Sequence, residues 1–176
     1  YRAIQEMTAK AKAWVNAYYG RAADYDYFNG CSTGGRQGLM EAQRYPDDYD
    51  GIVSGAPVNY FVGTHAAQLW AALAAKQASD ETILSKADLE LATAAAVAHC
   101  DAADGVADGV IENPPGCDFD PTVLQCSGTD SGQCLREDQV TALRKIYAGP
   151  SDPRTGSRVH PGFMPSGEAA WNVITD

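Results

Sequence analysis

The residues best suited to chemistry are a serine flanked by glycines, in the segment Gly30-Cys31-Ser32-Thr33-Gly34. At a sharp strand-to-helix turn, this Gly-x-Ser-x-Gly spacing exposes the serine hydroxyl, and the small neighbours let strand and helix approach each other. The backbone N–H of Thr33 and the N-terminus of the following helix can both stabilise an oxyanion. We therefore interpret Ser32 as a nucleophile for acyl transfer. The alternative is an ordinary turn, because glycine and serine are common in turns of every kind.

The nucleophile interpretation requires a strand before the serine and a helix after it. Apolar residues at helical spacing predict a helix over 3–18, and a short aromatic run predicts a buried strand over 25–29. A second helix is predicted over 33–45, where it stops before a proline, and a second buried strand over 49–54. Helix, strand, helix, strand is the order typical of a parallel α/β sheet.

From residue 60 onward the pattern changes. Alanine-rich helices are predicted over 64–77 and 85–99, and a short helix over 136–147. Ser85 has an aspartate three residues later, which resembles a capping box. Residues 60–176 therefore read as a helical, loop-rich insertion on the α/β part.

Composition excludes some classes of partner. There are 13 Lys and Arg residues against 23 Asp and Glu residues, and this net charge of -10 leaves no basic patch for nucleic acid. No stretch approaches the roughly 20 apolar residues that span a bilayer, so no membrane partner is expected. The sequence starts inside an amphipathic pattern and ends without a capping or tail signal, so we expect both ends to be truncated.

The five cysteines indicate an oxidising compartment. Four of them cluster in a region rich in Gly, Pro and Asp, as disulfides do in secreted proteins. We therefore expect a secreted or periplasmic location. The five positions are Cys31, Cys100, Cys117, Cys126 and Cys134.

An acidic loop over 101–110 is a candidate metal site. Asp101, Asp104 and Asp108 alternate with glycines that let the backbone curl and turn its carbonyls inward. Calcium prefers such oxygens, about six to eight of them. A string of Asx and glycine turns would give the same pattern, and both interpretations stay open.

A base for Ser32 is harder to find. His65, His99 and His160 all follow the serine, as the histidine of an α/β hydrolase does. Their contexts nevertheless favour surface or packing roles. The acidic turn over 47–50 after the second helix favours solvated carboxylates.

The segment YFNGCSTGGRQGLMEAQRYPDDYDGIVSGAPV closely resembles the tannase and feruloyl esterase family, which also includes terephthalate monoester hydrolases. The resemblance continues through CDAADGVADGVIENPPGCDFDP and LREDQVTALRKIYAGP. It implies that 1–59 is part of an α/β-hydrolase core with a nucleophile elbow. It also implies that 60–176 is part of a lid domain inserted after the strand that follows the nucleophile helix.

The resemblance also implies site residues. Ser32 matches the nucleophile, Thr33 matches a backbone oxyanion donor, and Cys31 matches a half-cystine whose partner lies outside this chain, beside the catalytic histidine. The acidic loop matches a structural Ca²⁺ site. Its implied ligands are the side chains of Asp101, Asp104 and Asp108 and the carbonyls of Val106 and Val110.

Cysteine pairing is consistent with an external partner for Cys31. If Cys100 pairs with Cys117 and Cys126 with Cys134, Cys31 is left without a partner, and an odd cysteine in a secreted protein calls for explanation.

The activity implied is that of a secreted serine carboxylic ester hydrolase acting on small aromatic esters, of the feruloyl or galloyl type, through an acyl-enzyme. The family's catalytic Asp and His match no residue here, so we expect the chain by itself to be inactive. One alternative is a non-catalytic, calcium-braced binding module. Another is a different elbow-serine hydrolase, such as a polyester depolymerase, peptidase or lactonase.

Overall fold

A computed structural model describes residues 1–76, 81–128 and 133–171 of the chain. It divides into two compact units, Tyr1–Phe61 and Val62–Asp176.

The first unit is a short β-α-β arrangement preceded by a helix. Helix α1 spans Arg2–Tyr19, strand β1 Tyr27–Cys31, helix α2 Thr33–Arg44 and strand β2 Gly51–Gly55. Helix α1 ends at Gly20, whose φ of 73° is the left-handed value that glycine adopts freely.

Strands β1 and β2 pair in parallel, with Tyr27 opposite Gly51 and Cys31 opposite Gly55. Parallel neighbours need a crossover connection, and helix α2 provides it. The predicted order of helix, strand, helix and strand is therefore present.

The prediction that both strands are buried was wrong. Tyr27 on β1 is 70% exposed and Val53 on β2 is 63% exposed. Helix α2 covers the opposite face, where Phe28 and Ile52 lie against Gly38. In the first unit the sheet has two strands and one covered face, so alternate residues stay in solvent.

The second unit is helical. Helix α3 spans Phe61–Ala74, starting at the unit boundary, and helix α4 spans Lys86–Cys100. Ser85 and Asp88 form the expected capping box at the start of α4. Helix α5 spans Glu137–Ala148.

Most of the buried apolar core belongs to these three helices and the segments that join them. The core members that share near-complete burial are Ala71, Ala75, Leu84, Leu89, Ala92, Leu135, Leu143 and Ile146.

A smaller core lies where α4 ends. Ala96 and Cys100 of α4 pack with Ile111 and Phe119. Short 3-10 turns and extended loops connect α4 to α5, and two disulfides, Cys100–Cys117 and Cys126–Cys134, close parts of this region. No helix in the described ranges is long and apolar enough to cross a membrane.

Candidate active site and acidic loop

Ser32 stands at the junction of β1 and α2. It is the N-cap residue of α2, with φ 57° and ψ −116°, and it is one of three non-glycine residues with positive φ in the described chain. Its side chain makes no capping hydrogen bond and it is exposed. Such strained backbone persists where surrounding structure enforces it, and it is the conformation expected of a nucleophile elbow.

Two hydrogen bonds tie this turn to strand β2. The Ser32 backbone N–H donates to the Gly55 carbonyl at 3.0 Å. The Ser54 hydroxyl donates to the Gly35 carbonyl at 2.7 Å. Strand β2 therefore bonds both to the strained residue itself and to the first turn of the helix that follows it.

Close approach depends on Gly30 and Gly35. A Cβ on Gly30 would lie 2.4 Å from the Gly34 carbonyl oxygen, and a Cβ on Gly35 would lie 2.2 Å from the Gly55 carbonyl oxygen. A Cβ on Gly34 would meet nothing within 4 Å. The expectation that both motif glycines make room is thus right for Gly30 and wrong for Gly34, because Gly35 is the helix residue that faces β2.

Thr33 is the first residue of α2. Its backbone N–H is one of the helix's first four, which have no acceptor within the helix. Cys31, the last residue of β1, is a free and exposed cysteine. The structure thus places the candidate nucleophile Ser32, the first backbone N–H of α2 and an exposed thiol on three consecutive residues.

The first unit contains no histidine, because His65, His99 and His160 all belong to Val62–Asp176. Asp50 precedes β2, at the opposite end of the strands from Ser32, and it accepts a hydrogen bond from the Asp26 backbone N–H at 2.7 Å. The first unit therefore contains the candidate nucleophile and the N-terminus of α2, but no imidazole.

The acidic loop is organised by its own carboxylates. Asp101 Oδ1 accepts from the backbone N–H of Gly109 at 3.0 Å, Asp104 Oδ1 from Val106 at 2.8 Å and Asp108 Oδ1 from Val110 at 3.0 Å. Gly105 and Gly109 adopt left-handed φ values of 96° and 85°. Val106 and Val110 are both exposed.

The donor set of this loop is made of oxygens, which fits calcium. Among the described residues, the group of metal-binding side chains whose donor atoms come together, within 4.8 Å of one another, is His99, Cys100 and Asp118. Asp101, Asp104 and Asp108 do not form such a group. A calcium ion would have to draw the three aspartates together.

A buried polar cluster in the second unit has no clear sequence signal. The fully buried carboxylate of Glu168 accepts hydrogen bonds from the Tyr147 hydroxyl at 2.5 Å and the Thr93 hydroxyl at 3.0 Å. Burial raises the pKa of the Tyr147 phenol, and the Glu168 charge raises it further. The cluster joins α4 and α5 to the 3-10 turn Glu168–Ala170.

The first unit also contains a buried carboxylate, that of Glu41 on α2. It is 0% exposed, and neither carboxylate oxygen has a hydrogen-bond partner within the described residues. Desolvation raises the pKa of this carboxyl group, and the nearby charge of Asp48 adds to the effect.

Comparison with known proteins confirms the family resemblance. The family model described as tannase and feruloyl esterase matches residues 1–174. An uncharacterized esterase of Xanthomonas campestris pv. campestris is 44% identical over 98% of this chain and 30% of its own length. The mono(2-hydroxyethyl) terephthalate hydrolase of Piscinibacter sakaiensis is 39% identical over 85% of this chain and 28% of its own length.

A solved structure of a feruloyl esterase has a similar fold. The crystal structure of feruloyl esterase B from Aspergillus oryzae matches 97% of this chain and 34% of its own, with a TM-score of 0.80 and 31% identity. The chain thus spans about three tenths of the length of the curated relatives named above. The chain belongs to the tannase and feruloyl esterase family.

Proposed function

We propose that the chain carries the nucleophile of a serine carboxylic ester hydrolase, and that Ser32 is that nucleophile. The observation that supports this most is the strained backbone of Ser32, held between β1 and α2 with its hydroxyl exposed. An ordinary turn built from glycine and serine has no need of a positive φ on the serine.

In the proposed reaction the Ser32 hydroxyl attacks the ester carbonyl and loses its proton to a base. The Thr33 N–H and the α2 N-terminus stabilise the oxyanion, the alcohol leaves, and water then releases the acid from the acyl-enzyme. The base and its acid partner are not supplied by the first unit. Because triad residues act as a unit, we propose that the 176 residues alone have little activity.

The proposed substrates are small esters of aromatic acids, such as feruloyl or galloyl esters. Support comes from the relatives, which include the terephthalate hydrolase and feruloyl esterase B. We further propose that residues 1–59 form part of an α/β-hydrolase core and 60–176 part of a lid domain. The location proposed for the protein is secreted or periplasmic, where Cys31 would pair with a cysteine outside this chain.

The acidic loop is proposed to bind a structural Ca²⁺ ion. Its ligands would be the side chains of Asp101, Asp104 and Asp108 with the carbonyls of Val106 and Val110. The ion would neutralise carboxylates in a loop that has few core contacts of its own, so its contribution would be to stability rather than to chemistry.

The test uses a fluorophosphonate probe and methyl ferulate, applied to the complete protein that carries this sequence. We expect probe attachment at Ser32 by peptide mass spectrometry, with both attachment and hydrolysis lost in Ser32→Ala. Thr33→Ala is the matched control, because it keeps the backbone N–H. A complete protein that binds methyl ferulate without labelling or turnover would instead support the non-catalytic module. Hydrolysis confined to p-nitrophenyl or polyester substrates would support another elbow-serine hydrolase.

A further inference from the structure

Strand β2 carries a polar side chain, that of Ser54, on the face that α2 covers. Side chains alternate along a strand, so Ser54 lies on the same face as Ile52, which packs against Gly38 of α2. Val53 lies on the other face and is 63% exposed. A covered face favours apolar residues, because a polar group removed from water needs a hydrogen-bond partner. The half-buried Ser54 hydroxyl has such a partner in the Gly35 carbonyl, at 2.7 Å.

Two peptide groups connect this hydrogen bond to the proposed oxyanion donor. The Gly35 carbonyl and the Arg36 N–H belong to one peptide group, and the Arg36 N–H donates to the Ser32 carbonyl at 3.1 Å. The Ser32 carbonyl and the Thr33 N–H belong to a second peptide group. A continuous chain of hydrogen bonds therefore runs from the Ser54 hydroxyl through the first turn of α2 to the peptide group that carries the Thr33 N–H.

Every hydrogen bond in this chain points in the direction that strengthens the donor at its end. A carbonyl that accepts a hydrogen bond draws electrons from the N–H of its own peptide group, so that this N–H becomes a stronger donor. Such cooperative strengthening amounts to about 10–30% per bond. A hydroxyl bonded to a carbonyl is always the donor, so the polarisation runs from Ser54 toward Thr33.

The hydrogen bond from Ser54 also fixes the position of the first turn of α2. The Ser32 N–H donates to the Gly55 carbonyl at 3.0 Å, so two successive residues of β2 hold the turn. Oxyanion donors are most effective when they are held in place before the reaction, because no reorganisation is then needed as charge develops. Ser54 thus bears on both the placement and the strength of the Thr33 N–H.

We propose that Ser54 is a positioning residue for the reaction at Ser32, and that it orients and polarises the Thr33 N–H through these two peptide groups. Ser54 acts through the peptide groups rather than on the substrate. The inference rests on the proposed function, in which Ser32 is the nucleophile and the Thr33 N–H stabilises the oxyanion. Because the oxyanion develops only as the ester is attacked, the contribution belongs to the transition state and not to substrate binding.

The test measures hydrolysis of methyl ferulate by the complete protein and by its Ser54→Ala variant. One oxyanion donor is worth about 100- to 1,000-fold in kcat, and a weakening of its effect by 10–30% corresponds to a loss of roughly 2- to 8-fold. We expect a loss of that size in kcat, with KM unchanged. Val53→Ala is the matched control, because its exposed side chain lies on the face of β2 away from α2, and it should keep the kcat of the unsubstituted protein.

Inhibition by an arylboronic acid separates an effect on the oxyanion donor from a loss of active protein. The serine oxygen bonds to boron, the hydroxyl proton passes to the base, and boron becomes a tetrahedral anion that resembles the transition state. The inhibition constant reports affinity and not the amount of active enzyme, so we expect it to rise by the factor by which kcat falls. Ser54→Thr keeps a hydroxyl donor and should restore both quantities.

The proposal is overturned if Ser54→Ala has the same kcat and inhibition constant as Val53→Ala, or if kcat falls while the inhibition constant does not change. Equal losses in Ser54→Ala and Ser54→Thr, at an unchanged melting temperature, would overturn it as well. Hydrolysis that survives Ser32→Ala would overturn the proposed function together with this inference. Hydrolysis that is lost in Ser32→Ala and unaffected in Ser54→Ala would overturn this inference alone.

Discussion

Replacing Gly30 by alanine should damage the elbow, whereas the same replacement at Gly34 should not. The new Cβ at Gly30 would lie 2.4 Å from the Gly34 carbonyl oxygen, and contacts under 3.0 Å essentially do not occur. Strand β1 and helix α2 would have to separate by about 0.6 Å, and overpacking of this kind costs about 1–3 kcal/mol. We expect the upper part of that range, because the obstacle is backbone rather than a side chain.

The same displacement would move Ser32 relative to Thr33. A misplacement near 1 Å can cost about 100-fold in rate, so this smaller displacement should slow labelling by the fluorophosphonate probe by up to that factor. Gly35→Ala should behave like Gly30→Ala, because its Cβ would lie 2.2 Å from the Gly55 oxygen.

Gly34→Ala is the matched control within the same turn. Alanine in a helix is more favourable than glycine by about 0.5–1 kcal/mol, so this variant should be as stable or slightly more stable. The assay pairs urea unfolding with the rate of probe labelling in the complete protein. Equal damage from Gly30→Ala and Gly34→Ala, or none from Gly30→Ala, would refute the reasoning.

Three other predictions concern stability. Tyr147→Phe removes the hydrogen bond to the buried Glu168 carboxylate and should lower the free energy of unfolding by about 1.5–3 kcal/mol in urea; an unchanged midpoint would contradict this. Glu41→Gln should stabilise the protein at neutral pH, because burial raises the pKa of the folded-state carboxyl group and stability is lost as pH rises through that pKa. The thermal melts of the two proteins should therefore converge in acid, below the ordinary pKa of glutamate, and diverge above it. A chelator should lower the melting temperature, because calcium present at 100 times its Kd would contribute about 2.7 kcal/mol to the free energy of unfolding. Asp108→Asn should abolish that response. A melt indifferent to chelator would argue against a calcium loop.

Local patterns made much of the fold predictable. Helices α1, α2, α4 and α5 follow from apolar spacing, Gly20, the Tyr45-Pro46 boundary and the Ser85 capping box, each of which acts over a few residues. The strand-to-helix turn at Ser32 is predictable because five consecutive residues, Gly30 to Gly34, carry its signal, and the structure gives Ser32 the positive φ of a strained turn. The disulfides of the structure are also the pairs considered from the sequence.

Features that depend on distant residues were not predictable. Gly35 was missed because its close contact is with Gly55, twenty positions away, and the motif spacing points to Gly34 instead. Burial of β1 was overestimated because an aromatic run does not say which strand face a helix covers. The hydrogen bonds from Tyr147 and Thr93 to Glu168 join three separate elements, and no periodicity reports such a meeting.

The proposed hydrolase activity depends on formation of an acyl-enzyme at Ser32. Its most direct test is intact-protein and peptide mass spectrometry of the complete protein, quenched in acid within the first turnover of methyl ferulate. We expect a feruloyl mass increment on the peptide that contains Ser32, absent in Ser32→Ala. Turnover of methyl ferulate with the increment on another residue, or with hydrolysis intact in Ser32→Ala, would contradict the account.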